Sequence, residues 1–316
     1  MQTMDRPSTY VTRNMWAPVD AVIALVNSQA YAPEVPEVSI YKIRDWIRKK
    51  FDAIYISIRP LCYNEHPGIL DFVIKDCKIY DEDMDWFGTS GNPSMVPLIE
   101  ENMNAGLVEW ETLCKNPSPQ AIRLIESRPN RIVWRELSRN PNATHLLREN
   151  PDKIHWRNLC ENPADWALDA IEANPDKIEW VNLCRNTNKR AIKLLENNIQ
   201  NVNWYSLSLN SAAMGLLKAH PEKIVWECLS ENPSPEAVEL LMQNPEKIDW
   251  SSFVCNPSAM EYLEKNRNKI KNWHNILMNP AIFEVNCEAL RESRAELHKE
   301  LISVVFRIKS INALMD

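Results

Sequence analysis

The feature that most constrains this chain is a tryptophan that returns every 22 to 24 residues. Trp86, Trp110, Trp134, Trp156, Trp180, Trp204, Trp226, Trp250 and Trp273 stand 24, 24, 22, 24, 24, 22, 24 and 23 residues apart. Six residues after each stands an asparagine: Asn92, Asn116, Asn140, Asn162, Asn186, Asn210, Asn232, Asn256 and Asn279. Pro follows in seven of the nine units, and Thr187 or Ser211 in the other two, so the asparagine does more than precede a proline. Its side chain is expected to satisfy backbone groups at the junction between neighbouring units. A period of this length marks a repeat array, in which each unit is too small to bury its own apolar face and must stack on its neighbours.

One unit reads Asn150-Pro-Asp-Lys-Ile-His-Trp156-Arg-Asn-Leu159-Cys-Glu-Asn162-Pro, followed by an apolar helix that ends at Asn174-Pro-Asp-Lys-Ile. Pro tolerates the first position of a helix, Asn or Ser before it caps free N–H groups, and an acid after it suits the helix dipole. Each unit therefore has two helix starts. Ile154, Trp156 and Leu159 are spaced two and then three apart, which predicts an extended or 3₁₀ approach into a single helical turn. The second segment places Ala191, Leu194 and Leu195, or Ala237, Leu240 and Leu241, at helical spacing. Long units such as Asn232-Pro-Ser234-Pro235 cap the second helix with Ser234. In short units Asn256 itself is expected to cap, so two residues leave the loop and the core stays in phase.

Composition fits this reading. Five Gly against 21 Pro disfavour tight β-hairpins and favour short helices begun on a fixed φ. The net charge of −7 argues against partners bound by phosphate neutralisation, so no nucleic acid is expected. No secretory signal is visible at Met1 to Tyr10, and the apolar stretch from Val19 to Val26 is too short to span a bilayer. Eight Cys without a CxxC pair fit a reducing compartment. The expected fold is all-α: an α-solenoid of eight to nine units of two short helices, one α and one 3₁₀ or short α, with a small mixed N-terminal cap.

The chain divides accordingly. Residues 1–38, with Pro7, Pro18, Pro33 and Pro36, read as an extended arm. Residues 39–80 read as a capping segment: Ile40, Ile43, Trp46 and Ile47 suit a helix, while 53–58 and 72–79 suit strand or helix. Residues 81–290 hold the solenoid. Residues 291–316 carry Leu297, Leu301, Val304, Ile308 and Ile311 in an amphipathic stripe, suited to capping the last unit or to self-association.

No catalytic, cofactor-binding or metal-binding residue is assigned, and an enzyme is not expected. Cys114, Cys160 and Cys184 each lie four residues after a Trp, where other units carry Ser138, Ser208 and Ser230, so the position asks for a small residue. Asp81, Asp83 and Asp85 open like a calcium loop, but the required Gly and closing Glu are missing. His155, His220 and His274 occupy variable positions. Binding by such an array would fall on variable residues beside the Trp row, such as Val181, Tyr205 and Val225.

The repeated string, seen at Pro151-Asp-Lys-Ile-His-Trp156, Pro175-Asp-Lys-Ile-Glu-Trp180 and Pro245-Glu-Lys-Ile-Asp-Trp250, resembles the short tandem repeats of proteins from nucleocytoplasmic large DNA viruses. It is also distantly similar to leucine-rich variant repeats, which alternate an α-helix with a 3₁₀ helix. The iron–sulfur module of some leucine-rich variant proteins has no matching Cys cluster here. The resemblance implies a viral protein; with the extended arm and the missing catalytic motif, the expected function is a virion structural protein, a minor capsid or cementing component of a large icosahedral double-stranded DNA virus. Its partners would then be structural proteins such as the major capsid protein. An adaptor that binds a host or viral protein in infected-cell cytoplasm is the other reading.

Overall fold

A computed structural model describes residues 39–53, 59–76 and 84–292, together with residues 294, 295, 299 and 302. The arm expected at 1–38 and the apolar stripe expected from Leu297 to Ile311 lie outside the described residues. Residues 40–290 form one compact body. That body is an all-α repeat solenoid, and among the described residues no helix is long and apolar enough to cross a membrane.

The Asn162 unit shows how the sequence builds each repeat. Pro151–Lys153 forms a 3₁₀ turn, Ile154 is extended at φ −64° and ψ 123°, and Trp156–Leu159 makes one α turn. Asp165–Glu172 is the longer helix. The odd spacing now has a cause: Ile154 and Trp156 are related by an extended residue, Trp156 and Leu159 by a helical turn. The next unit repeats the pattern with Pro175–Lys177, Trp180–Leu183 and Lys189–Glu196. In short units a 3₁₀ turn such as Pro257–Ala259 leads into a six-residue helix, Met260–Lys265. Long units instead start a longer helix on Pro, as in Pro235–Gln243, where the Ser234 hydroxyl accepts from the Glu236 N–H at 3.2 Å.

One capping expectation is corrected. The asparagines before the Pro-Asp-Lys turns make no N-cap hydrogen bond. Asn150 and Asn174 donate backwards instead, to the carbonyls of Leu146 and Ala170 at 2.9 and 2.8 Å. They therefore close the end of the preceding long helix, whose last carbonyls lack partners.

The deepest core is not the tryptophan row. The residue three after each Trp (Leu113, Leu137, Leu159, Leu183, Leu207, Leu229 or Phe253) is fully buried, as are Ala and Leu of the long helices. Most of the Trp rings are only half-buried; Trp86 alone of the row reaches full burial. Two of the free faces hold the lysine of the next unit's turn: Lys177 Nζ lies 4.2 Å from the Trp156 ring centroid and Lys247 Nζ 4.4 Å from that of Trp226. A cation over an indole face is favoured by the ring quadrupole. The turn lysines Lys177 and Lys247 thus have a structural partner.

The segment 39–80 departs most from expectation. Tyr41–Ile43 forms a strand, β1, rather than part of a helix, because it pairs antiparallel with a second strand, β2, at Phe283–Val285. A helix, α1, follows at Asp45–Ala53, and Phe72–Asp76 is a π-helical turn, the helical of the two alternatives there, while residues 54–58 and 77–79 lie outside the described residues. Around the β1–β2 pair, Arg44 Nε donates to the Ala281 carbonyl at 2.9 Å, and Trp46 meets Trp273 edge-on at 6.0 Å. The same segment also reaches the other end of the array, where the Asn92 amide donates to the carbonyls of Cys62 and Asn64 at 3.0 and 2.7 Å. It does not cap one end of a rod. It joins the first unit to the last and closes residues 40–290 into a ring.

Arg59–Tyr63, a 3₁₀ helix, is accordingly the short helix of a tenth unit, packed between Asn275–Met278 and Trp86–Gly91. Ten short helices at about 8–10 Å spacing give a circle of helix axes roughly 30 Å across. Successive short helices stand close together at several junctions, among them Trp86–Gly91 on Trp110–Leu113 and Trp226–Glu231 on Trp250–Phe253, where the long helices of the same units touch less. Crowding in one row and spacing in the other bends the stack, so the outer side of the short helices is the concave face.

Candidate functional site: the concave face of the ring

The concave face is held in register by a ladder of asparagines. In the Asn162 unit the side-chain amide donates to the carbonyls of Ser138 and Asn140, both at 3.0 Å, and the side-chain oxygen accepts from the Ala164 N–H at 3.0 Å. Asn186, Asn210, Asn256 and Asn279 repeat this pattern with the unit before them. Asn64 completes the circle, donating to Leu277 and Asn279. All ten asparagines are buried, which only a fully satisfied amide tolerates.

In eight of the ten units a small residue two before the asparagine supplies a second rung. Ser138, Ser208 and Ser230 accept, through Oγ, the backbone N–H of the residue before the next Trp, at 2.9–3.1 Å. Cys114, Cys160 and Cys184 do the same through Sγ at 3.3–3.4 Å. Eight of the ten units carry Ser or Cys here, a buried acceptor rather than merely a small side chain, while Val254 and Leu277 fill the position in the last two units without one. Burial pushes these thiols above their ordinary range, while the accepted N–H pulls them back.

What varies on this face is the residue one after each Trp and the residue five after it. Tyr63, Phe87, Val181 and Tyr205 are exposed there, at 43%, 50%, 45% and 54%. Tyr63 lies over Gly88, where a Cβ would stand 2.8 Å from its ring. Its hydroxyl donates to Asp85 at 3.0 Å, and burial together with that carboxylate pushes its pKa up to about 12.

Between Phe87 and Tyr205 the face is charged. A depression of ≈ 490 Å³ spans four successive units, with Lys115, Arg135, Arg139, Arg157 and Arg185 against Glu111, Glu136 and Glu161. Glu136 is only 3% exposed and binds three cations: Arg135 Nε at 2.8 Å, Lys115 Nζ at 3.3 Å and Arg139 Nε at 3.5 Å. Arg135 also reaches Glu111 at 2.9 Å, and Arg139 reaches Glu161 at 3.3 Å. Glu161 further accepts from the Asn182 amide at 2.6 Å. The depression carries two more positive than negative groups in a chain whose net charge is −7. Farther round, the corresponding positions are Glu227 and Glu231, so the concave face changes sign along the ring.

Of the residues singled out in the sequence, Val181 and Tyr205 are exposed on this face, whereas Val225 is half-buried and its N–H is held by Ser208. Asp85 caps the Trp86 helix, accepting from Phe87 and Gly88 N–H groups at 3.1 and 3.3 Å. Asp81 and Asp83 lie outside the described residues. His155 lines the depression, His220 packs on Trp204 at 5.2 Å, and His274 is exposed. Among the described residues no three His, Cys, Asp or Glu side chains gather where they could hold a metal ion. Sequence reasoning missed the arginines at 135, 139, 157 and 185. Their signal was positional, since they occupy the two places per unit that the ladder and core leave variable. Compared with models of known families, with curated proteins and with solved structures, the chain matches none.

Proposed function

We propose that this protein is a binding scaffold that acts through protein–protein contacts on the concave face of its ring. The observation that carries the reading is the division of labour within each unit. Trp, Leu, Ser or Cys, and Asn serve stacking, while the residue one after the Trp stays exposed, the residue five after it keeps part of its surface, and both vary from unit to unit. Rigid repeats that present variable side chains on a concave surface suit an extended partner.

The resemblance of the units to repeats of large DNA virus proteins makes the virion the proposed setting, as a minor capsid or cementing component beside the major capsid protein. Closure into a ring changes how such a protein works: it meets neighbours by its faces, not by tying shells together with the two ends of a rod. The test is mass spectrometry of purified particles, with cross-linking from Lys115. Reproducible cross-links to one capsid component support the reading, and absence from the particles removes it. In that second case the adaptor reading stands if a cytoplasmic partner is recovered by the wild-type chain and lost with Val181→Asp and Tyr205→Asp together.

A further inference from the structure

Each carboxylate in the charged depression already has a cation. Glu111 lies on Arg135, Glu136 on Lys115, Arg135 and Arg139, and Glu161 on Arg139. Two guanidinium groups are left over. Arg157 makes one contact, from Nε to the neutral amide oxygen of Asn182 at 3.2 Å. The Arg185 guanidinium makes no hydrogen bond or ion pair among the described residues; only its backbone N–H is engaged, donating to the Asn182 carbonyl at 3.0 Å. Both are exposed, both line the depression, and they come from successive units.

We propose that this arc receives an extended acidic peptide segment of a partner protein, two of whose carboxylates pair with Arg157 and Arg185. The inference rests on the concave-face reading above and adds the chemistry of the partner. The planar guanidinium fork matches a carboxylate in two parallel hydrogen bonds. Successive units are about 8–10 Å apart, and Arg157 follows its Trp by one residue while Arg185 follows its own by five, one helical turn of about 5.4 Å farther along. The two positions are thus about 10–11 Å apart, close to three residues of extended chain at about 3.3 Å each. The two acids should therefore be three residues apart. Val181 lies in the same depression and is 45% exposed, offering an apolar contact to a residue between them.

Exposed ion pairs are weak one at a time, but a concave wall concentrates their field on a bound chain. A nucleic-acid strand fits less well. Its unbroken row of phosphates would run into Glu111 and Glu161 within the depression and Glu227 and Glu231 beyond it.

The test is fluorescence anisotropy with the full-length chain and labelled nonapeptides of Gly and Ser carrying the core Glu-Leu-Gly-Glu. The same core with both Glu changed to Gln and a single-stranded oligothymidine serve as comparisons. The Glu peptide is expected to bind at least about tenfold more tightly than the Gln peptide, and the Arg157→Ala, Arg185→Ala double variant to lose at least about tenfold in affinity with an unchanged melting curve. The charge-reversed pair Arg157→Glu, Arg185→Glu should prefer a Lys-Leu-Gly-Lys peptide, a gain that misfolding cannot produce. Equal affinity for the Glu and Gln peptides, no loss in the double variant, or tighter binding of oligothymidine through the same arginines overturns the proposal. If it falls while the Val181 and Tyr205 variants still lose a partner, the concave-face reading survives and only its acidic chemistry is wrong.

Discussion

Asn64 is bound to Asn279 as Asn162 is bound to Asn140 and Asn186 to Asn162. Its side-chain amide donates to the Asn279 carbonyl at 3.0 Å and to that of Leu277 at 2.8 Å, and its oxygen accepts from the His66 N–H at 3.0 Å. These residues are 215 apart in sequence, yet the geometry is that of neighbours such as Asn162 and Asn186. The end of the array is thus an interior junction.

Closure predicts that Asn64→Ala destabilises the chain as much as Asn162→Ala. Each leaves buried backbone carbonyls and an N–H unpaired, at about 2–4 kcal/mol in total. Urea unfolding of the two variants checks this. A near-zero cost at Asn64 beside a large one at Asn162 would mean that the ring is open in solution.

The burial order predicts that Leu159→Ala costs more than Trp156→Ala, despite the smaller side chain. Leu159 is fully buried, so its removal opens a cavity and costs about 3–4 kcal/mol, whereas the half-buried indole should cost about 2. Lys177→Ala, which uncovers the Trp156 face, should cost about 0.5 kcal/mol. Thermal or chemical denaturation ranks the three.

The buried thiols predict alkaline destabilisation. Cys62, Cys114, Cys160 and Cys184 are raised by burial, and Cys255 is pushed up to about 11. A raised folded pKa means that the fold keeps protons the unfolded chain releases. Stability is therefore full below the ordinary thiol value of about 8.5 and falls as pH rises towards 11. Replacing Cys114, Cys160 and Cys184 by Ser keeps the acceptor, as Ser138 does natively, and should cost under about 1 kcal/mol each. Melting temperature against pH should then be flatter between 8.5 and 11 than for the wild type.

Glu136→Gln removes the carboxylate shared by Lys115, Arg135 and Arg139. Breaking a fully buried pair costs about 3–5 kcal/mol, but these cations are 31–58% exposed, so about 1–2 is expected. The deficit should shrink in high salt, where the uncovered cations are screened. A loss that does not respond to salt would point to packing instead of charge.

Much of the repeat was legible in the sequence because its parts are local. The Pro-started turns, the one-turn helix after Trp156 and the caps at Ser234 and Asn256 are decided within a few residues. The junction role of the asparagine was also legible, since it persists where the proline does not. The tenth unit was harder to see. Leu61-Cys62-Tyr-Asn64 matches Leu159-Cys160-Glu-Asn162, but Ile58 replaces the Trp and Glu65 the Pro, and those were the two marks that define the period.

The sequence by itself determined the period, the helical unit and the residues that lock one unit to the next, because stacking energetics act between nearest neighbours. Only the tertiary structure decided that the stack closes. Closure depends on a small bend per unit accumulating over ten units until Asn64 meets Asn279, and on β1 finding β2 across 240 residues. No local pattern encodes such a sum. The same bend decides which row of helices is concave, and so which arginines face a partner.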